Sequence, residues 1–148
     1  MKDKMKLIDK SLIALDLDVD SKRSVIEKLA DLLEESSRLD DREQYIHDVF
    51  EREEIVSTCV GDMIVIPHAR SKAVNTASLV YIRLKNPVDW NDVDKAKFIL
   101  GIAVPADNVD NLHLKILSSA AKKLLDDTIK NKLFKSTSKE EILTALLS

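Results

Sequence analysis

The sequence predicts an α/β protein: a three-layer sandwich with a mixed central β-sheet flanked by helices on both faces. Three observations carry this expectation. Helical periodicity occupies both ends of the chain, while the middle holds short runs dense in Val, Ile and Leu. Two of those central runs are nearly continuous β-formers, as expected of strands covered on both faces. Aromatic residues make up only 4% of the chain, so the core must be aliphatic, which suits layers of helix on sheet better than an aromatic-rich sandwich.

Taken in order, Leu12 to Val19 alternates, with Ile13, Leu15, Leu17 and Val19 on one face, the period of a half-buried strand. Asp20 and Ser21 then offer N-cap oxygens to a helix from Lys22 to Ser36, whose Val25, Leu29, Leu32 and Leu33 recur at helical spacing. Asp40 and Glu43 have the capping-box spacing for a second helix that turns Tyr45, Ile46, Val49 and Phe50 inward and ends at Arg52 to Glu54. Strands are expected at Met63 to Ile66, Ala77 to Leu84 and Phe98 to Val104, with Asn86-Pro87 breaking the chain between the last two. From Val109 the pattern is helical again, with Leu112, Ile116, Ala120 and Leu124 on one stripe. Ser138 and Glu141 form a capping box for a final helix ending at Leu146-Leu147.

The 148 residues fit one domain, expected to span the whole chain, and are enough to bury a core without a disulfide or a structural metal. Charge is nearly balanced, 23 basic against 26 acidic residues, and no basic stripe points to nucleic acid. Cys59 is the only cysteine, so an intrachain disulfide is impossible and an intracellular setting is favoured. The apolar stretch near the N-terminus is broken by Asp9, Lys10 and Asp16, unlike a signal peptide, and Ile99 to Ala106 is far too short to span a bilayer. A cytoplasmic protein without direct membrane insertion is the expectation.

Reactive side chains meet unusual backbone in few places. Gly61 to Arg70 runs a short strand into Pro67, so His68 is presented at a strand end, where an imidazole can serve as base, ligand or nucleophile. Its bland counterpart is a strand-terminal histidine with a solvated ring. His113, in the first turn of the helix opening near Asn111, lies beside unpaired N–H groups that favour an anion and a neutral ring; alone, it reads more simply as a ring packed on Leu117. Arg52 and Arg70 have the planar fork that suits a phosphoryl group, or are solvated charges. His47 reads as a surface histidine. His47, His68 and His113 lack the spacing of common zinc sites, and a Cys59–His68 dyad has no recognisable third member. With only Gly61 and Gly101, no Walker-type loop can form, so phosphate, if handled, arrives on a protein rather than a nucleotide.

Five blocks resemble a known family. They are Arg52-Glu53-Glu54-Ile55-Val56-Ser57-Thr58, Ile64-Val65-Ile66-Pro67-His68-Ala69-Arg70, Pro87-Val88-Asp89-Trp90, Gly101-Ile102-Ala103-Val104-Pro105 and His113-Leu114-Lys115-Ile116-Leu117. Their order and spacing resemble the IIA domains of the bacterial phosphoenolpyruvate-dependent sugar phosphotransferase system, fructose–mannitol type, which includes nitrogen-regulatory paralogues. The resemblance covers Leu12 to Leu147. It implies a phosphotransferase without a cofactor or metal, in which His68 takes a phosphoryl group on Nε2 from phospho-HPr. The group then passes to a IIB component, and to a sugar entering through a membrane IIC. It further implies that His113 and Arg52 stabilise the phosphoryl group, that Asp62 stands where some mannitol-type members carry an acidic active-site residue, and that Ser57 and Thr58 are the Ser-Thr pair near the pocket. Arg70 joins them as a candidate phosphoryl or partner contact. A regulatory paralogue, in which phosphorylation of His68 switches partner binding, is the alternative; Trp90 and its block resemble the transport members more. A plain interaction domain with an unmodified His68 is a third reading. Many members read Ser-Thr-Gly-Ile-Gly-x-Gly before the histidine strand, whereas Cys59 and Met63 replace two of those glycines here, narrowing the backbone angles open to the loop.

Overall fold

A computed structural model describes residues 7–107 and 112–147, with side chains described from Lys115 onward in the second segment. A 3-10 turn (Lys10–Leu12) leads into β1 (Ile13–Leu17), followed by α1 (Lys22–Glu35), α2 (Arg42–Ile55), β2 (Ile64–Val65) and β3 (His68–Ser71). Two long strands, β4 (Ser78–Asp89) and β5 (Lys95–Pro105), precede α3 (Leu112–Lys123), α4 (Asp127–Lys135) and α5 (Lys139–Leu147).

The sheet is mixed, as expected. β4 and β5 pair antiparallel at its centre, β1 lies parallel to β4, and β2 and β3 both lie parallel to β5 on its other side. β2 and β3 thus form one edge strand interrupted at Ile66-Pro67. Proline is tolerated there because an edge position does not need its missing N–H, and its carbonyl still accepts from Ile102 N–H at 3.0 Å.

The helices cover both faces. An added Cβ at Gly101 of β5 would lie 2.4 Å from Leu29 Cδ1 of α1, so α1 is pressed onto that face. Three residues earlier in β5, and so on the opposite face, Phe98 stacks on Phe134 of α4 with ring centroids 4.2 Å apart. On the same side, Tyr81 Oη and Arg83 Nη1 both donate to the Leu133 carbonyl, at 2.6 and 3.0 Å, holding the end of α4 on the sheet. From α2, the buried Tyr45 hydroxyl reaches the Ile102 carbonyl at 3.1 Å.

The local signals work with small displacements. Ser21, not Asp20, caps α1 by accepting from Ser24 N–H at 3.1 Å. α1 ends in a Schellman motif, Arg38 N–H to Leu33 O and Ser37 N–H to Glu34 O, with Ser37 at φ 60° where glycine is usual. α2 starts one residue later than the Asp40–Glu43 spacing suggests. Asp41 accepts from Gln44 N–H at 3.1 Å, because Asp40 is taken by Asn75 Nδ2 at 2.8 Å. Ser138 does cap the last helix, accepting from Glu141 N–H at 3.2 Å.

Three differences are larger. Asn86-Pro87 does not end β4: the ladder with β5 shifts register between Arg83 and Val88, and the unpaired, exposed stretch at 85–87 absorbs the proline. The chain after Pro67 is a strand, β3, rather than a loop. Finally, α3 stops before Asp126, whose carboxylate caps a separate α4 by accepting from Thr128 and Ile129 N–H at 2.9 and 3.1 Å.

Candidate functional site

Pro67 ends the first half of the edge strand and His68 begins the second, opposite Ile102 of β5. The residue is buried, only 4% exposed, so it is not the solvated strand-terminal histidine of the bland reading. Nδ1 lies 2.6 Å from the Ile66 carbonyl. A carbonyl can only accept, so Nδ1 carries the proton in the neutral ring and Nε2 keeps its lone pair. Burial lowers the pKa of His68 most, and the charge of Arg52 lowers it further; the Ile66 carbonyl and Glu53 pull the other way. The net direction is downward, towards the neutral, nucleophilic ring.

The open cleft at His68 lies between α2 and β3, with Arg52 and Ile55 on the helix side and Arg70 on the strand side. Arg52 Nη1 donates to the Val56 carbonyl at 2.9 Å, anchoring the guanidinium at the C-terminal end of α2. Arg70 Nη2 donates to the Ala106 carbonyl at 3.2 Å. Two permanent cations therefore border one buried imidazole, an arrangement suited to an anion at Nε2. Asp48 and Glu51 also line the cleft.

Of the other candidates, Asp62, Ser57 and Thr58 do not line this cleft. Asp62 lines a separate, more apolar pocket with Ile64 and Leu124, and pairs with Lys130 of α4 at 3.0 Å. Ser57 Oγ accepts from Asn91 Nδ2 at 3.1 Å and Cys59 N–H at 3.3 Å, closing the loop after α2. Thr58 is buried and bonded to Glu53 through both its N–H, at 3.3 Å, and its hydroxyl. His113 is the second residue of α3, and its side chain lies outside the described residues. His47 is exposed on α2, 3.5 Å from Glu51.

His47, Asp48 and Glu51 bring ligand atoms within 4.8 Å of one another, the single such group among the described residues. It lies on an exposed helix face, and Asp48 already accepts from Gln44 at 2.9 Å, so nothing orders it for a cation.

One buried charge behind the site was not singled out by its sequence signal. Glu53, beside Arg52, is turned inward and only 6% exposed. Besides Thr58, its carboxylate accepts from Trp90 Nε1 at 3.0 Å and lies 4.0 Å from Lys22 Nζ. The available signal was its place in α2, three residues after the inward-facing Phe50 and four after Val49, on the buried stripe rather than the solvent side.

A buried imidazole with Nδ1 held on a backbone carbonyl, flanked by two arginines after an Ile-Pro break, coincides with a family-wide match. The model of the phosphoenolpyruvate-dependent sugar phosphotransferase system, EIIA 2, matches residues 6–148. The chain belongs to this EIIA family. A fructose-specific EIIA component of Haloferax volcanii is 34% identical over 137 residues, covering 91% of this chain and 88% of that protein. The 2-O-alpha-mannosyl-D-glycerate-specific EIIABC component of Escherichia coli is 25% identical over 143 residues, 95% of this chain; the chain spans only 22% of that relative's length. Among solved structures, the nitrogen regulatory protein IIA-Ntr of Neisseria meningitidis superposes with a TM-score of 0.83 at 33% identity, covering 95% of this chain and 96% of that one. Mannitol IIA of Escherichia coli, in complex with phosphorylated mannitol IIB, has a TM-score of 0.78 at 22% identity, covering 95% and 96%, and shares the fold. This EIIA chain has no helix, among the described residues, long and apolar enough to cross a membrane.

Proposed function

We propose that this EIIA chain is a cytoplasmic phosphocarrier in which His68 accepts a phosphoryl group from phospho-HPr and passes it to a IIB component. Through that partner and a membrane IIC component, the transfer would drive sugar uptake and phosphorylation. The observation that carries this reading is the hydrogen bond from Nδ1 of the buried His68 to the Ile66 carbonyl, which leaves Nε2 unprotonated beside Arg52 and Arg70. The Nε2 lone pair attacks phosphorus in line as the phosphorus–nitrogen bond to the donor histidine breaks, and the departing imidazole keeps the bonding pair. Nδ1 retains its proton throughout, so no general base is required. Catalysis is then positioning and charge stabilisation of the three equatorial oxygens, for which guanidinium forks are suited. His113, at the start of α3, is proposed as a further donor to them; Ser57, Thr58 and Asp62 would act through the loop and the partner contact.

A regulatory role is the second reading, favoured by the 33% identity to the nitrogen regulatory protein of Neisseria meningitidis. There, phosphorylation of His68 would change the affinity for a non-transport partner. Neighbouring genes for IIB and IIC would favour transport.

Intact-mass measurement after incubation with enzyme I, HPr and phosphoenolpyruvate tests the carrier step. The wild-type chain should gain one acid-labile phosphoryl group and His68→Gln none. A wild-type mass that does not change would remove both readings and leave a binding domain.

A further inference from the structure

The His68 ring is aimed by a carbonyl, so whatever fixes that carbonyl fixes the nucleophile. Ile66 is held from behind: its N–H donates to the Thr58 carbonyl at 3.1 Å. The Thr58 segment is in turn laid along β2, with Val60 N–H to Ile64 O at 2.9 Å and an antiparallel bridge from Cys59 to Val65. Among the described residues no strand pairs with the far side of this short return, so its position is set by the other side of Thr58. There the N–H and hydroxyl of Thr58 both donate to Glu53. The Glu53 carboxylate is itself held by Trp90 Nε1 at 3.0 Å, with Lys22 Nζ at 4.0 Å. Lys22 sits over the Trp90 ring, 5.2 Å from its centroid. A carboxylate with its side chain 1% exposed costs much desolvation, and here it is matched by three convergent donors and one cation.

From this relay we infer that Glu53, clamped by Trp90, is a positioning residue for phosphoryl transfer: through Thr58 and Ile66 it holds the His68 ring with Nδ1 protonated and Nε2 facing the cleft. Glu53 touches neither His68 nor the cleft, so it is not a catalytic residue. The inference deepens the phosphocarrier reading and rests on it for the transfer step. The ring's orientation and tautomer can be measured without any transfer.

The test uses the full chain, 15N-labelled. Nitrogen shifts of the His68 ring report which nitrogen carries the proton, and single-turnover transfer from phospho-HPr reports the consequence. Wild type should show protonated Nδ1 and bare Nε2. Glu53→Gln, which sets an amide N–H₂ against one of the donors, and Thr58→Val, which keeps the Glu53 charge but removes the hydroxyl, should both raise the Nε2-protonated population. Both should also slow transfer by about tenfold or more, as expected when a nucleophile is misaimed. Thr58→Ser restores the hydroxyl and should restore both readouts. If Glu53→Gln does not fold, Thr58→Val against Thr58→Ser decides. The inference is overturned if wild type carries its proton on Nε2. It is also overturned if the folded variants, judged by native sheet amide signals, keep the wild-type tautomer or the wild-type rate. A wild type that never takes a phosphoryl group refutes the carrier reading instead, and the tautomer comparison alone then judges Glu53.

Discussion

An imidazole makes a useful phosphoryl carrier only while one nitrogen is bare, and at His68 burial and Arg52 both push the pKa below the ordinary 6.5. The sign of the consequence can be worked out. As pH falls through 6.5 the unfolded chain takes up its proton first, so folding loses the stability that the neutral ring contributed; the loss is complete once pH passes below the folded value. Wild type should therefore lose urea stability between neutral and mildly acidic pH by more than His68→Gln does. Equal pH dependence in the two proteins would mean that the ring titrates as it does in the unfolded chain. Arg52 acts on the same ring through its charge. Arg52→Ala should raise the His68 titration midpoint and slow phosphoryl transfer by roughly tenfold to a hundredfold, with the sheet amide signals unchanged. A normal rate would remove Arg52 from the site. At this scale Pro67-His68 was legible because proline has a fixed backbone meaning. Glu53 was not, since its place on the buried stripe of α2 suggests burial without naming the distant partners that hold a carboxylate there.

At the scale of elements, the turn before β2 carries the clearest strain. Gly61, Asp62 and Met63 stand at φ 94°, 55° and 61°, three successive left-handed residues of which only the first is glycine. Met63 must hold this geometry because its carbonyl accepts from both Lys97 and Phe98 N–H, at 2.9 and 3.0 Å. Restoring glycine there should relieve the clash of Cβ with the backbone, about 1 kcal/mol. Met63→Gly is expected to raise the urea midpoint, whereas Cys59→Gly should not, since Cys59 is absent from the left-handed set and pairs with Val65. A lowered midpoint for Met63→Gly would mean that the side chain's packing outweighs the strain. Of the two replaced family glycines, then, one still demands a glycine-like backbone. That distinction needed coordinates, because residue type narrows the angles available without saying which are used. The same limit explains the caps: Asp40 and Asp41 are equivalent in sequence, and the choice between them was made by Asn75, distant in the chain.

For the whole molecule, the seating of α1 on the sheet turns on one missing side chain. Gly101 lies against Leu29, which is fully buried. Gly101→Ala should destabilise by about 1–3 kcal/mol through overpacking. In a Leu29→Ala background the same change should cost less, because the space it needs has been cleared. Additive effects in that double-mutant cycle would mean that α1 simply shifts to make room. Hydrophobic periodicity and near-continuous β-runs were sufficient by themselves to determine the α/β class, the covered sheet and most helix spans, since burial is written into residue type at a fixed period. The family blocks pointed to His68 and Arg52, which line one cleft. Tertiary structure alone decided the rest. β4 runs through Asn86-Pro87 because its partner strand shifts register there; β3 exists because β5 offers it a ladder; Asp62 belongs to α4's Lys130 rather than to the His68 cleft; and Glu53 becomes the anchor behind His68. Each of these outcomes depends on a partner far away in the chain, and local patterns carry no information about which distant group will satisfy a donor, an acceptor or a charge.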